Sequence, residues 1–123
     1  MINKVHHIGI SVTDLKESIY FYKSNGFELE SEFELESPKS KCAFMTKAGS
    51  AGIELFDFSD PNNSGATSIK NHVAYESTNI ESDFSKLIEV GFTVSIPITP
   101  GNFVKRFAHL IDKSGNTIEL VET

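Results

Sequence analysis

Apolar and polar positions along this chain follow strand-like and helix-like periods in turn, and the sequence of periods runs twice. Val5–Val12 is an apolar-rich stretch suited to a strand. Leu15, Ile19 and Tyr22 then recur at the i, i+4, i+7 spacing of an amphipathic helix face. Asp14 stands where an N-cap belongs, with Glu17 three residues on, and Asn25-Gly26 supplies a left-handed stop. Three strand candidates follow at Phe27–Leu35, Lys41–Lys47 and Gly52–Phe58. In the second half Asn79 is the cap, Ile80, Phe84 and Leu87 form the buried stripe, and Gly91 is the stop. Strands are expected again at Phe92–Ile96, Lys105–Ile111 and Thr117–Val121. The polar stretch 59–68 reads as a linker, and Pro97–Asn102 as a second irregular segment, a loop at a pocket mouth.

The two cycles are copies of one unit. Sliding residues 5–58 onto 70–123 without a gap gives eight identities: His7, Thr13, Gly26, Phe27, Ala43, Ile53, Glu54 and Leu55. Apolar positions also fall on apolar positions, such as Leu15 on Ile80 and Met45 on Leu110. The expected organisation is a single α+β domain over 1–123, built of a first module at about 4–58, a linker at 59–69 and a second module at about 70–123.

Composition narrows the function. A net charge of −6 disfavours nucleic acid and acidic membranes as partners, because phosphate binding relies on basic surface. A lone Cys42 excludes an intrachain disulfide framework and fits a reducing cytoplasm. The N-terminal residues carry no signal-peptide apolar core, and no apolar run approaches the ~20 residues needed to span a bilayer. A cytoplasmic protein with a small-molecule substrate is the expectation.

The repeat carries candidate chemistry. His7 and Glu54 recur 65 residues later as His72 and Glu119, and both glutamates sit in the context Ile-Glu-Leu. Each His lies in the first strand of its half and each Glu in the last. If the halves pack about a pseudo-two-fold axis, two imidazoles and two carboxylates converge. That donor set suits Zn, Ni, Co, Fe or Mn, and the carboxylates balance a divalent charge. Four protein ligands leave two octahedral positions for substrate oxygens or water, an open arrangement of the catalytic kind.

On these residues the chain resembles the vicinal oxygen chelate superfamily, which includes glyoxalase I, methylmalonyl-CoA epimerase and the fosfomycin- and bleomycin-resistance proteins. The matching stretches are 7–22, running from His7-Ile8-Gly9-Ile10 to Tyr20-Phe21-Tyr22, together with Ile53-Glu54-Leu55, Asn71-His72-Val73-Ala74 and 111–120 through Ile118-Glu119-Leu120. The resemblance implies paired βαβββ modules forming a cupped mixed sheet around a divalent metal, commonly in a homodimer. It assigns His7, Glu54, His72 and Glu119 to the metal positions of glyoxalase I, whereas the epimerases carry glutamine at the position of Glu54. Ser11 and Phe58 replace an arginine and an asparagine that bind glutathione in bacterial glyoxalase I, so a thiol cosubstrate is left open and the glutathione site is altered.

The expected activity is a glyoxalase-I-like lyase or isomerase. It shuttles a proton next to a carbonyl through a metal-stabilised enediolate, for example converting a 2-oxoaldehyde hemithioacetal to a thioester, with Glu54 and Glu119 as base and acid. The alternatives are a methylmalonyl-CoA-epimerase-like racemase and a metal-free drug-binding resistance protein. Lys105, Phe107 and His109 share one strand parity and are the candidate substrate side, with Phe44, Phe56 and Phe58 as an apolar wall.

Overall fold

In a computed structural model, which describes residues 1–36, 39–58 and 71–123, the strand–helix–three-strand cycle occurs twice. The first pass is β1 (Ile2–Val12), α1 (Leu15–Ser24), β2 (Glu28–Glu36), β3 (Lys39–Thr46) and β4 (Gly52–Asp57). The second is β5 (His72–Ser77), α2 (Ile80–Glu89), β6 (Thr93–Pro100), β7 (Arg106–Ile111) and β8 (Thr117–Glu122). The expected linker, residues 59–69, lies outside the described residues.

The helices begin and end where the side chains dictate. Asp14 accepts a hydrogen bond from the Glu17 backbone N–H at 3.1 Å, and Asn79 accepts one from Ser82 at 3.1 Å. Each cap satisfies a first-turn donor that the helix cannot, a contribution of about 1 kcal/mol. Both helices stop on a glycine with positive φ, Gly26 at 90° and Gly91 at 105°. Past those glycines the Phe27 N–H reaches back to the Tyr22 carbonyl and the Phe92 N–H to the Leu87 carbonyl, each at 3.0 Å. These are the closing bonds of a left-handed helix terminus, which a side chain at the glycine would strain.

The chain divides into two compact units, His7–Asn71 and a second made of Met1–His6 with His72–Thr123. In the first unit the strand order is β2-β3-β4-β1, with β1 and β4 parallel and the other pairs antiparallel. In the second, β5, β8, β7 and β6 follow one another, with β5 and β8 parallel. Strand parity then sorts the side chains. Ala43, Met45, Ile53 and Leu55 are buried with Ile19 of α1. Ala108, Leu110 and Leu120 are buried with Ile80 of α2. Fully burying each such large side chain contributes about 1.5–3 kcal/mol. Residues of the opposite parity, Phe44 and Glu54 in one unit and His109 and Glu119 in the other, occupy the sheet face away from the helix.

One expectation is corrected. Pro97–Pro100 is not an irregular loop but the last part of β6, paired to β7 through Thr99 with Phe107 and Pro100 with Arg106. An edge strand needs only one side of its backbone for pairing, so proline's missing N–H is tolerated there, and register shifts flank the proline-bearing stretch.

Candidate metal centre

The first unit brings His7 and Glu54 together. β1 and β4 run parallel with His7 beside Gly52 and Gly9 beside Glu54. His7 is buried, and its Nε2 lies 3.4 Å from Glu54 Oε1. Phe44, directly across from Glu54 on β3, sets its ring edge-on to the His7 imidazole at 5.6 Å between centroids. The close pairing of His7 with Gly52 leaves room for that ring, whose Cζ lies 2.5 Å from where a Cβ on Gly52 would stand.

The second unit repeats the pair. His72 Nε2 lies 3.4 Å from Glu119 Oε1, and both residues are buried. Glu119 Oε1 also stands at hydrogen-bond distance from His109 Nε2, 2.7 Å. His109 is buried and lies directly across from Glu119 on β7. Sequence parity puts His109 on the right face but misses this contact. A signal for it exists: the turn around Ser114-Gly115 makes His109 and Glu119 equidistant from the hairpin tip, as Ala48-Gly49 does for Phe44 and Glu54.

The donor set and spacing fit a divalent cation. Metal–nitrogen and metal–oxygen bonds of about 2.0–2.2 Å place two donors of one tetrahedral cation about 3.4 Å apart. Both His–Glu pairs show 3.4 Å between the relevant nitrogen and oxygen. Imidazole with carboxylate is also the ligand chemistry of Zn, Ni, Co, Fe and Mn.

The remaining candidates are placed as follows. Phe107 lies edge-on to His109, with ring centroids 5.6 Å apart. Lys105 is exposed at the bend before β7, where its backbone N–H donates to the Glu122 carbonyl at 2.7 Å. Phe56 is buried and stacks with Phe58 at 6.0 Å. Ser11 is exposed, and its backbone N–H donates to Asn71 Oδ1 at 2.8 Å. Cys42 is buried on the Phe44 strand, and burial, with the charges of Glu54 and Asp57, pushes its thiol up to about 11 against the opposing Ser40 contact. Arg106 is spent on structure, pairing with Glu81 and bidentately with Glu122.

Known proteins share this architecture. A family model described as the Glyoxalase/Bleomycin resistance protein/Dioxygenase superfamily matches residues 4–120. A solved structure of hypothetical protein BH1468 from Bacillus halodurans C-125 is 27% identical, with a TM-score of 0.78 over 98% of this chain and 94% of that one. Methylmalonyl-CoA epimerase from Mycobacterium tuberculosis is 23% identical, with a TM-score of 0.81 over 98% of this chain and 88% of its own. The Streptomyces coelicolor methylmalonyl-CoA epimerase with 2-nitronate-propionyl-CoA is 20% identical, with a TM-score of 0.79 over 100% and 99% of the two chains. No curated protein matches the chain.

Proposed function

The chain belongs to the glyoxalase/bleomycin resistance protein/dioxygenase superfamily, and on that footing we propose that it is a divalent-metal-dependent lyase or isomerase that moves a proton at a carbon next to a carbonyl. The observation carrying this reading is the repetition of one His–Glu pair, with donors 3.4 Å apart, in each unit. His7, Glu54, His72 and Glu119 together hold one cation, the pairs coming from one chain or from two in a homodimer. Once bound, a dication supplies a Lewis acid for two adjacent substrate oxygens and stabilises the negative charge that develops on them.

The chain's own groups do the rest. A carbon acid beside a carbonyl yields its proton only to a base held within hydrogen-bond reach, and Glu54 and Glu119 are the carboxylates available at the paired imidazoles. One removes the proton, and it is returned on the same or the neighbouring carbon. Burial of His7, His72 and Glu119, with Phe44 and Phe56 on the same faces, keeps bulk water from competing for that proton.

Glu54 stands where the resemblance puts a glutamine in the epimerases, which favours a glyoxalase-like substrate, the hemithioacetal of a 2-oxoaldehyde and a thiol. A second reading is epimerisation of a 2-methyl-branched acyl-CoA. It is favoured by the likeness to a methylmalonyl-CoA epimerase structure in complex with methylmalonyl-CoA. The test is metal analysis of the purified protein, then assay of the loaded protein with methylglyoxal plus several thiols and, separately, with a 2-methyl-branched acyl-CoA. Turnover of the first supports the lyase, and turnover of the acyl-CoA alone moves the reading to an epimerase. Glu119→Gln abolishes turnover; a variant retaining near-wild-type rate would remove Glu119 from the chemistry. Among the described residues no helix is long and apolar enough to cross a membrane.

A further inference from the structure

The two units share their His–Glu pair and differ in the residue facing the glutamate. Phe44 pairs with Glu54 and His109 with Glu119, at the same offset that relates the other repeated positions. The Phe44 ring lies 5.6 Å from the His7 ring, and the His109 ring 5.0 Å from the His72 ring. One location on the sheet thus carries a phenyl group in the first unit and an imidazole in the second.

That imidazole is not there to be solvated. His109 is 5% exposed, and its Nδ1 has no hydrogen-bond partner among the described residues. A buried polar atom left unsatisfied costs about 1–3 kcal/mol, a cost that Phe at this position would not carry, so the imidazole has to be justified by what its other nitrogen, Nε2, reaches. The donor atoms of His72, His109 and Glu119 all lie within 4.8 Å of one another. Glu119 Oε1 is the shared member, 2.7 Å from His109 Nε2 and 3.4 Å from His72 Nε2.

We propose that His109 is a further metal ligand, so that the second unit by itself offers a divalent cation two imidazoles and a carboxylate. The inference rests on the metal-binding reading above, and adds that the two units hold the cation unequally. In the structure His109 Nε2 stands at hydrogen-bond distance from Glu119 Oε1, 2.7 Å. With the ring proton on Nδ1, the Nε2 lone pair is the one that ligates. Donors on one cation stand about 3.0 Å apart in an octahedral arrangement and about 3.4 Å apart in a tetrahedral one, so ligation opens the 2.7 Å contact by about 0.3–0.7 Å. Two imidazoles with one carboxylate suit Zn, Co, Ni and Fe and leave positions open.

The experiment is a Co(II) titration followed by calorimetry and visible absorption. It compares the wild type, His109→Phe, His109→Gln and the double variant His7→Ala/Glu54→Gln, each checked for folding by circular dichroism. His109→Phe copies the first unit's own residue, and His109→Gln keeps an N–H donor for Glu119 if the phenyl ring is not tolerated. The expected result is that the double variant still binds Co(II). His109→Phe should weaken binding by at least about 10–100-fold and change the absorption spectrum, and His109→Gln should not restore it. Wild-type affinity and spectrum in His109→Phe, or full affinity in His109→Gln, overturns the ligand role while leaving the metal reading intact. Failure of the wild type to bind Co(II) at all removes the metal reading and this inference with it.

Discussion

Gly52→Ala probes the first half of the centre without touching a ligand. The added Cβ would lie 2.5 Å from Phe44 Cζ and 2.8 Å from Cε1. Carbon atoms in contact settle at about 3.5–4.0 Å, so the ring must retreat by about 1 Å. It has little room to do so. Phe44 is 7% exposed and packed edge-on against His7. Overpacking of this kind costs about 1–3 kcal/mol. With an unfolding entropy of roughly 2.1 cal/mol/K per residue over 123 residues, the melting temperature falls by about 4–12 °C. Because the displaced ring abuts one proposed ligand and faces another, metal affinity falls as well. Scanning fluorimetry and Co(II) titration measure both. Phe44→Leu deletes the two offending atoms, so Gly52→Ala/Phe44→Leu should be more stable than the two single losses added together, a coupling expected of residues in contact. The second unit is consistent with this logic: the counterpart of Gly52 is the buried Thr117, and the counterpart of Phe44 is the smaller His109. A Gly52→Ala protein melting within 1 °C (roughly the resolution of such a scan) of wild type, or strictly additive losses, would refute the steric argument.

Other outcomes follow from the same physical picture. A cation at a hundredfold excess over its dissociation constant adds about 2.7 kcal/mol to stability, hence a melting temperature higher by about 10 °C that a chelator reverses; no shift with Zn, Co or Ni counts against the centre. Burial pushes the Asp83 carboxyl up, but the Ser77 hydroxyl at 2.5 Å and the Met1 ammonium at 3.1 Å outweigh it and hold it below the usual carboxylate range. Its stabilisation is therefore complete above the unfolded value of about 3.9 and is lost as pH falls through the lower folded value. Asp83→Asn should destabilise at pH 7 and converge with wild type in melts at about pH 2–3. Cys42, with its thiol at about 11 and almost no exposed surface, should react with a disulfide reagent at pH 8 (roughly three units below,) only as the chain unfolds; rapid labelling of the native protein contradicts that burial.

Much of the architecture is written in local chemistry. Asp14 and Asn79 cap the helices they were expected to cap, and Gly26 and Gly91 end them, because caps and positive-φ stops depend on one residue and its neighbours. That His and Glu fall at repeated strand positions in each unit is legible from the repeat and strand parity, whereas their 3.4 Å approach depends on the parallel registers of β1 with β4 and of β5 with β8. What escaped depends on register or on position within the sheet. The strand at Pro97–Pro100 is concealed by prolines that only an edge location tolerates. The bond between His109 and Glu119 needs the hairpin register of β7 and β8, which parity alone does not supply.

The partition of β1 has a practical consequence. Met1–His6 packs with His72–Thr123, whereas the same strand from His7 onward packs with the first unit. The Asn3 amide donates to Glu76 at 3.2 Å and Thr78 bonds the Met1 carbonyl, so that association is hydrogen-bonded and specific. A genetic cut between the repeats, at residues 59–69, would therefore not release two self-sufficient halves. The C-terminal fragment would be born without a segment that arrives first in synthesis, and would have to borrow it in trans from the other piece.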